Sequence, residues 1–214
     1  MRELVMRWQR GWTVARGLPA ADDLGDGLRV RGLQPGRDVE YVAFDGDDLG
    51  SVRRLAERVH AEREITWLTV PTSAPERAAA ALAEAGLVLL KRAEQLMVIE
   101  LRDHPESKPA EPYRLEVEGG AAITATVRGD GRPGEVAARG TIGLTGADAI
   151  ADRIETMPAH RRRGLGGVVM GALAGAALEA GAEHGLLIAS EEGQHLYRRL
   201  GWRPVADVLI ATTP

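Results

Sequence analysis

The residues best placed to do chemistry are Arg161-Arg162-Arg163-Gly164-Leu165-Gly166-Gly167. They follow a strand-like run, Ala149 to Met157, and a stop at Pro158. They open an uncharged stretch of Val, Met, Leu, Ala and Gly that lasts until Glu179. A glycine-rich turn that enters a helix is suited to anions. The first amides of a helix have no internal partner, and the helix dipole leaves them partly positive. Glycine removes the Cβ atoms that would hold a phosphate away, and the three arginines add directed cationic donors. The chemistry is that of a di- or polyphosphate. A P-loop would need Lys-Ser or Lys-Thr where Gly167-Val168 stands. The dinucleotide fingerprint would need glycine at Val169 and a turn leaving the strand directly, which the inserted segment from Pro158 to Arg162 prevents.

A third pattern fits. Arg161-x-x-Gly164-x-Gly166, with Pro158 ahead of it, resembles the acetyl-CoA pyrophosphate loop of the GCN5-related N-acetyltransferase (GNAT) superfamily. Downstream, Leu196-Tyr197-Arg198-Arg199-Leu200-Gly201-Trp202 resembles that family's Leu-Tyr-x-x-Leu-Gly-Phe helix end. Either motif alone is weak, but both in order with one strand between them are specific. The resemblance covers about the last hundred residues.

The resemblance implies roles for particular residues. Arg161, Arg162, Arg163, Gly164, Leu165, Gly166 and Gly167 would grip the pyrophosphate of acetyl-CoA. Ile154, Glu155 and Thr156 match the splayed strand whose free backbone groups bind pantetheine and polarise the thioester. Ser190 stands where many members have an asparagine for pantetheine, and serine reaches less far. Tyr197 matches the tyrosine that protonates the departing CoA thiolate, so it touches both cofactor and chemistry. Glu155 is the first candidate for the base, with Glu191 or Glu192 next, acting through a water. Each of these acids could equally be a surface carboxylate, and a helical tyrosine is by itself more often a packing residue.

The elements that must position these residues can be read from pattern. Strands are expected at Trp12–Arg16, Leu28–Arg31, Glu40–Phe44 and Ile65–Val70, the last ended by Pro71. A helix capped by Asp47 and Asp48 runs to about Glu62, and another spans Ala74–Ala85 before Gly86. Leu87–Leu90 and Gln95–Leu101 read as a strand pair. After the proline-rich stretch His104–Pro112 come strands at Tyr113–Val117, Ala121–Arg128 and Val136–Leu144, with a turn cluster over 129–134. Beyond the glycine turn lie a strand at Leu186–Ala189, a helix at Gly193–Leu200 and a strand at Asp207–Thr212. Gly171 and Gly175 are expected to bring the helix backbone close to a sheet. Trp8, Trp12 and Trp67 are expected as core or pocket wall, Trp202 as core, and His195 at the surface.

The division expected is 1–104, a linker at 105–112, and 113–214. Ala80 to Leu87 lines up with His195 to Trp202, so the first part reads as a degenerate copy of the second. That alignment sets Gly46-Asp47-Asp48-Leu49 opposite Arg161-Arg162-Arg163-Gly164, and acidic groups there would repel a pyrophosphate. The fold class expected is α/β with mixed sheets, and the resemblance implies a tandem of GNAT-like halves, the first structural or substrate-shaping.

Composition narrows the rest. The chain has 214 residues and net charge −4, against a general nucleic-acid binder. It has no cysteine, and its five histidines lack metal-ligand spacing, so no metal is expected. With no apolar signal region and no apolar run long enough for a membrane span, a cytoplasmic protein is expected, monomer or homodimer. The function expected is acetyl transfer from acetyl-CoA to a primary amine, small-molecule or peptide, by direct attack in a ternary complex. The rivals are a non-catalytic CoA-binding regulatory module and a nucleotide-dependent enzyme.

Overall fold

In the computed structural model, which describes residues 1–129, 131 and 134–214, the chain begins with a helix, α1 (Arg2–Arg16). A strand over Trp12–Arg16 is thus not found. Val5, Trp8 and Trp12 recur at helical spacing and are all buried, and Gly17 in the left-handed region closes the helix. There follow β1 (Asp22–Asp23), β2 (Gly27–Gln34), β3 (Arg37–Ala43), α2 (Leu49–Ala61), β4 (Thr66–Thr72), α3 (Pro75–Glu84) and β5 (Val88–Glu100). Residues 105–112 carry no helix or strand. Then come β6 (Arg114–Gly119), β7 (Ala122–Arg128), β8 (Val136–Thr145), β9 (Asp148–Thr156), α4 (Leu165–Glu179), β10 (His184–Ala189), α5 (Glu191–Arg199) and β11 (Arg203–Thr212). Of the expected turn over 129–134, Asp130, Arg132 and Pro133 lie outside the described residues.

Two strand readings are corrected. Pro71 lies inside β4, opposite Val208, and does not end it. Its carbonyl accepts from Gly46 N on the β3 side, past the last β3–β4 pair, so its missing N–H falls where the ladder requires no donor. The expected strand pair over Leu87–Leu101 is one long strand, β5, which runs on through register shifts against β11.

All the strands join one sheet in the order β1-β2-β3-β4-β11-β5-β10-β9-β8-β7-β6. The order of elements repeats: β3-α2-β4-α3-β5 and then β9-α4-β10-α5-β11. Within each repeat the first two strands pair in parallel. The last strands are exchanged. β11 pairs with β4, and β5 pairs with β10, so each repeat completes the sheet of the other. The ends of α3 and α5 are closed by the same bonds. Leu87 N donates to Leu82 O as Trp202 N does to Tyr197 O, and Gly86 and Gly201 both take positive φ.

Residues alternate across this sheet, so each face has its own core. One face carries α4 and α5 over Ala149, Ala151, Leu187 and Ala189, and α2 and α3 over Val39, Tyr41, Leu68 and Leu209. The other face packs Val5, Trp8 and Trp12 of α1 against Val42, Leu96, Ile150 and Ile210. A Cβ at Gly143 would lie 2.1 Å from Gly11 O, and one at Gly11 would lie 2.1 Å from Ile150 Cδ1. These glycines let α1 lie flat on β8 and β9. Arg7 pairs with Asp148 and Arg16 with Asp152, which fastens α1 to β9 at two points.

Candidate active site

The site begins where β9 and β10 part. They pair at Asp148, Ala149 and Ile150 only, although β9 continues to Thr156 and β10 to Ala189. A bulge causes the separation. Between Thr141↔Asp152 and Arg139↔Glu155 the β9 strand holds one extra residue, and Arg153 takes φ 53. Past it, Met157 N bonds back to Ala137 O on β8, so the polar groups of Thr156 and Ile154 point the other way, into the gap. Thr156 O accepts from Arg161 Nε at 3.3 Å.

The start of α4 sits beside this gap. Gly164 is the N-cap at φ 76 with open space where a Cβ would be, and no side chain caps the helix. The amides of Leu165 and Gly166 therefore have no partner within the helix. Arg161, Arg162 and Arg163 are all exposed, and Arg162 also has positive φ. Arg163 is held, donating at 2.7 Å to Tyr113 Oη, which is 3.0 Å from His160 Nδ1. Arg161 also lies 3.6 Å from Glu192 at the surface, a pair of little energetic weight. Gly166 has a packing role: its Cβ would come within 2.9 Å of Leu196 Cδ2, so it admits α5. Gly171 approaches the linker, not the sheet, with Ser107 N 3.1 Å from its notional Cβ, and Gly175 has open space.

At the inner end of the gap lies a cavity of about 320 Å³, and Tyr197, Ser190 and Ile154 line it. Tyr197 is buried at the C-terminal half of α5. Burial, and after it the charge of Asp152, pushes its phenol well above the ordinary range, so it stays protonated and able to donate. Ser190 caps α5, its Oγ accepting from Gly193 N at 3.3 Å. Glu155 is not brought here: its side chain is exposed and its carboxylate is held by Arg139 on β8. Glu191 and Glu192 are exposed on the first turn of α5, and His195 is exposed too.

The rest of the cavity comes from both repeats and from α1. Trp8 and Trp12 stack at 5.2 Å between centroids, and Trp67 lines the same space. Three carboxylates line it, each with its own cation. Asp152 takes two bonds from Arg16, Glu40 is held by Arg37 and by Thr69 Oγ1, and Glu94 is bonded by Lys91 at 2.7 Å. Sequence reasoning missed these residues. For Glu40 the signal was a lone acid in an apolar strand, Val39-Glu40-Tyr41-Val42, and it does not say which space the acid faces. Among the described residues no group of three or more His, Asp or Glu side chains is placed to hold a metal, and no helix is long and apolar enough to cross a membrane.

The comparisons with known proteins agree with this fold. A family model, the acetyltransferase (GNAT) family, matches residues 93–202. A search of curated proteins finds no match. Among solved structures, a GCN5-related N-acetyltransferase from Kribbella flavida is 19% identical with TM-score 0.68, covering 100% of this chain and 95% of its own. A tandem GNAT protein from the clavulanic acid biosynthesis pathway is 15% identical with TM-score 0.62, covering 98% and 94%. A putative acetyltransferase of the GNAT family from Novosphingobium aromaticivorans is 17% identical with TM-score 0.58, covering 98% and 96%. At these identities the structures speak for the fold, and the family model spans just over half of the chain. The chain belongs to the acetyltransferase (GNAT) family.

Proposed function

We propose that the protein transfers an acetyl group from acetyl-CoA to a primary amine, and that 1–104 is a degenerate copy of 113–214 that builds the acceptor side of the cavity. The observation that carries this is one continuous path: an uncapped, glycine-started helix, then the gap between β9 and β10, then a buried tyrosine at its inner end. The diphosphate of CoA would meet the amides of Leu165 and Gly166 and the exposed arginines. Pantetheine would pair with the free edge at Ile154 and Thr156, as an added strand does. Acetyl-CoA supplies the thioester, and the chain supplies position and a proton.

In the transfer, the amine nitrogen forms a bond to the thioester carbonyl carbon as the carbon–sulfur bond breaks. The CoA sulfur takes the Tyr197 proton, and the proton lost by nitrogen returns through water to the tyrosinate. Each carboxylate of the cavity is already tied to a cation, so the ammonium form of the acceptor gives its first proton to solvent. Glu155, held by Arg139 outside the cavity, has no part in this scheme.

The test is a calorimetric titration of acetyl-CoA into the protein and into a Gly164→Glu variant, with NAD as control. Binding to the unaltered protein alone, with transfer to amines in a panel, is expected. Absence of acetyl-CoA binding overturns the reading. Binding without transfer to any amine would favour the rival, a CoA-binding module.

A further inference from the structure

The charges around the acceptor cavity do not balance. Asp152, Glu40 and Glu94 are each matched by a close cation, Arg16, Arg37 and Lys91 in turn. A fourth cation, Arg153, also lines the cavity. Among the described residues its carboxylate contact is Asp152 Oδ2 at 3.9 Å, beyond hydrogen-bond range, and that oxygen already accepts from Arg16 at 2.7 Å. Half of the Arg153 side chain is exposed. It stands at the bulge of β9 with φ 53, a conformation that a non-glycine residue adopts at a cost. The bulge thus sets a guanidinium, a fork of donors shaped for a carboxylate, on the strand where the thioester would lie.

Resting on the transferase reading above, we propose that Arg153 determines acceptor specificity by binding a carboxylate, and that the acceptor is an amine of the amino-acid class. A surplus cation in a confined space repels polyamines and other multiply charged cations and attracts an acid. At about 320 Å³ the cavity lies at the small end of ligand sites, suited to one amino acid and not to a large polyamine. The apolar side chains of Trp67, Ile188 and Ile210 on its lining leave room for an apolar substituent.

The experiment uses the whole protein and matched acceptors that differ by one carboxylate: L-leucine against 3-methylbutylamine, L-phenylalanine against phenethylamine, and L-lysine against cadaverine. Acetyl-CoA affinity is measured first, for the unaltered protein and for Arg153→Gln. Expected are equal acetyl-CoA affinities, a preference for the carboxylate-bearing member of at least one pair, and a KM for that member raised about 10- to 100-fold in the variant. The decarboxylated partner should keep its KM, and Arg153→Lys should restore part of the preference. Preference for decarboxylated amines, equal loss on both members, no acetylation of any pair by protein that binds acetyl-CoA, or weakened acetyl-CoA binding by Arg153→Gln overturns the assignment. If even the unaltered protein fails to bind acetyl-CoA, it is the transferase reading that fails.

Discussion

The two parallel strand pairs of the sheet, β3 with β4 and β9 with β10, meet their helices in opposite ways. In the first, pairing runs from Val39↔Thr66 to Val42↔Thr69, and Gly46 N then bonds to Pro71 O past the end of the ladder. The helix that follows starts on Asp48, whose carboxylate accepts from Gly50 N at 3.0 Å and Ser51 N at 3.3 Å. Asp47 beside it accepts from Thr72, Ser73 and Ala74. In the second, pairing stops at Ile150 and the helix starts on Gly164 with no side chain on its amides. The chain's own carboxylate caps the helix in one repeat, where the other repeat has a glycine and no side-chain cap. Structure also moves the alignment by one residue: Asp48, not Leu49, stands at the place of Gly164, since Val52 N bonds to Asp48 O as Val168 N does to Gly164 O. The acid thus falls on the cap itself. The two repeats thus differ in two things, the helix cap and the last rungs of a ladder, and the function proposed above rests on both.

The largest expected effect sets Tyr197 against its counterpart Leu82. Tyr197→Phe should lower kcat about 100-fold while acetyl-CoA affinity stays within about twofold, measured by steady-state kinetics beside calorimetry. An unchanged kcat would leave the two repeats alike in chemistry. Next, acetyl-CoA should bind once per chain, and Asp48→Gly should not create a second site, because β3 and β4 stay closed beneath it; calorimetric stoichiometry decides. Of intermediate size, Arg16→Ala should cost about 2 kcal/mol in denaturant unfolding, since it strands the partly buried Asp152 that it bonds twice.

A smaller effect separates the repeats by pH. Asp26, held by Arg54 and Ser51, has its carboxyl lowered from 3.8 to about 2, and hydrogen bonds hold Asp47 and Asp48 below their ordinary value as well. A depressed carboxylate adds stability above its unfolded pKa, and that contribution fades as pH falls through the folded value. Between about pH 4 and pH 2, amide exchange should therefore quicken around α2 before α4. Equal loosening of both helices would count against this asymmetry. The smallest change is Gly175→Ala. With open space at its Cβ, thermal unfolding should show a gain of about 0.5–1 kcal/mol, while Gly171→Ala gains less because it presses on Ser107.

What could be read from the sequence was whatever is local. The loop from Arg161 to Gly167, the Tyr197 helix end and the cap at Asp48 each declare themselves within a few residues, through glycine, charge and spacing. The cavity wall does not. Glu40, Trp67, Glu94 and Asp152 share a space only because β11 inserts between β4 and β5 and because a bulge turns the end of β9. Helix α1 was misread because Trp12–Arg16 alternates like a strand when its preceding turns are left out. Glu155 was misplaced for a related reason: the extra residue at Arg153 shifts the facing of everything after it.

The exchanged strands have a consequence for how the chain is made. Thr212 pairs with Trp67, and Val88 with Thr212, so the first repeat lacks the strand that lies between β4 and β5 until β11 has been made, after every other strand of the sheet. Until then, β4 and β5 present bare edges to the surrounding solution, the condition under which nascent strands pair with the wrong neighbour. Closure waits on contacts far apart in sequence, which makes it slow. Truncation after β10 would leave both repeats incomplete, so the smallest heritable unit of this fold is the pair.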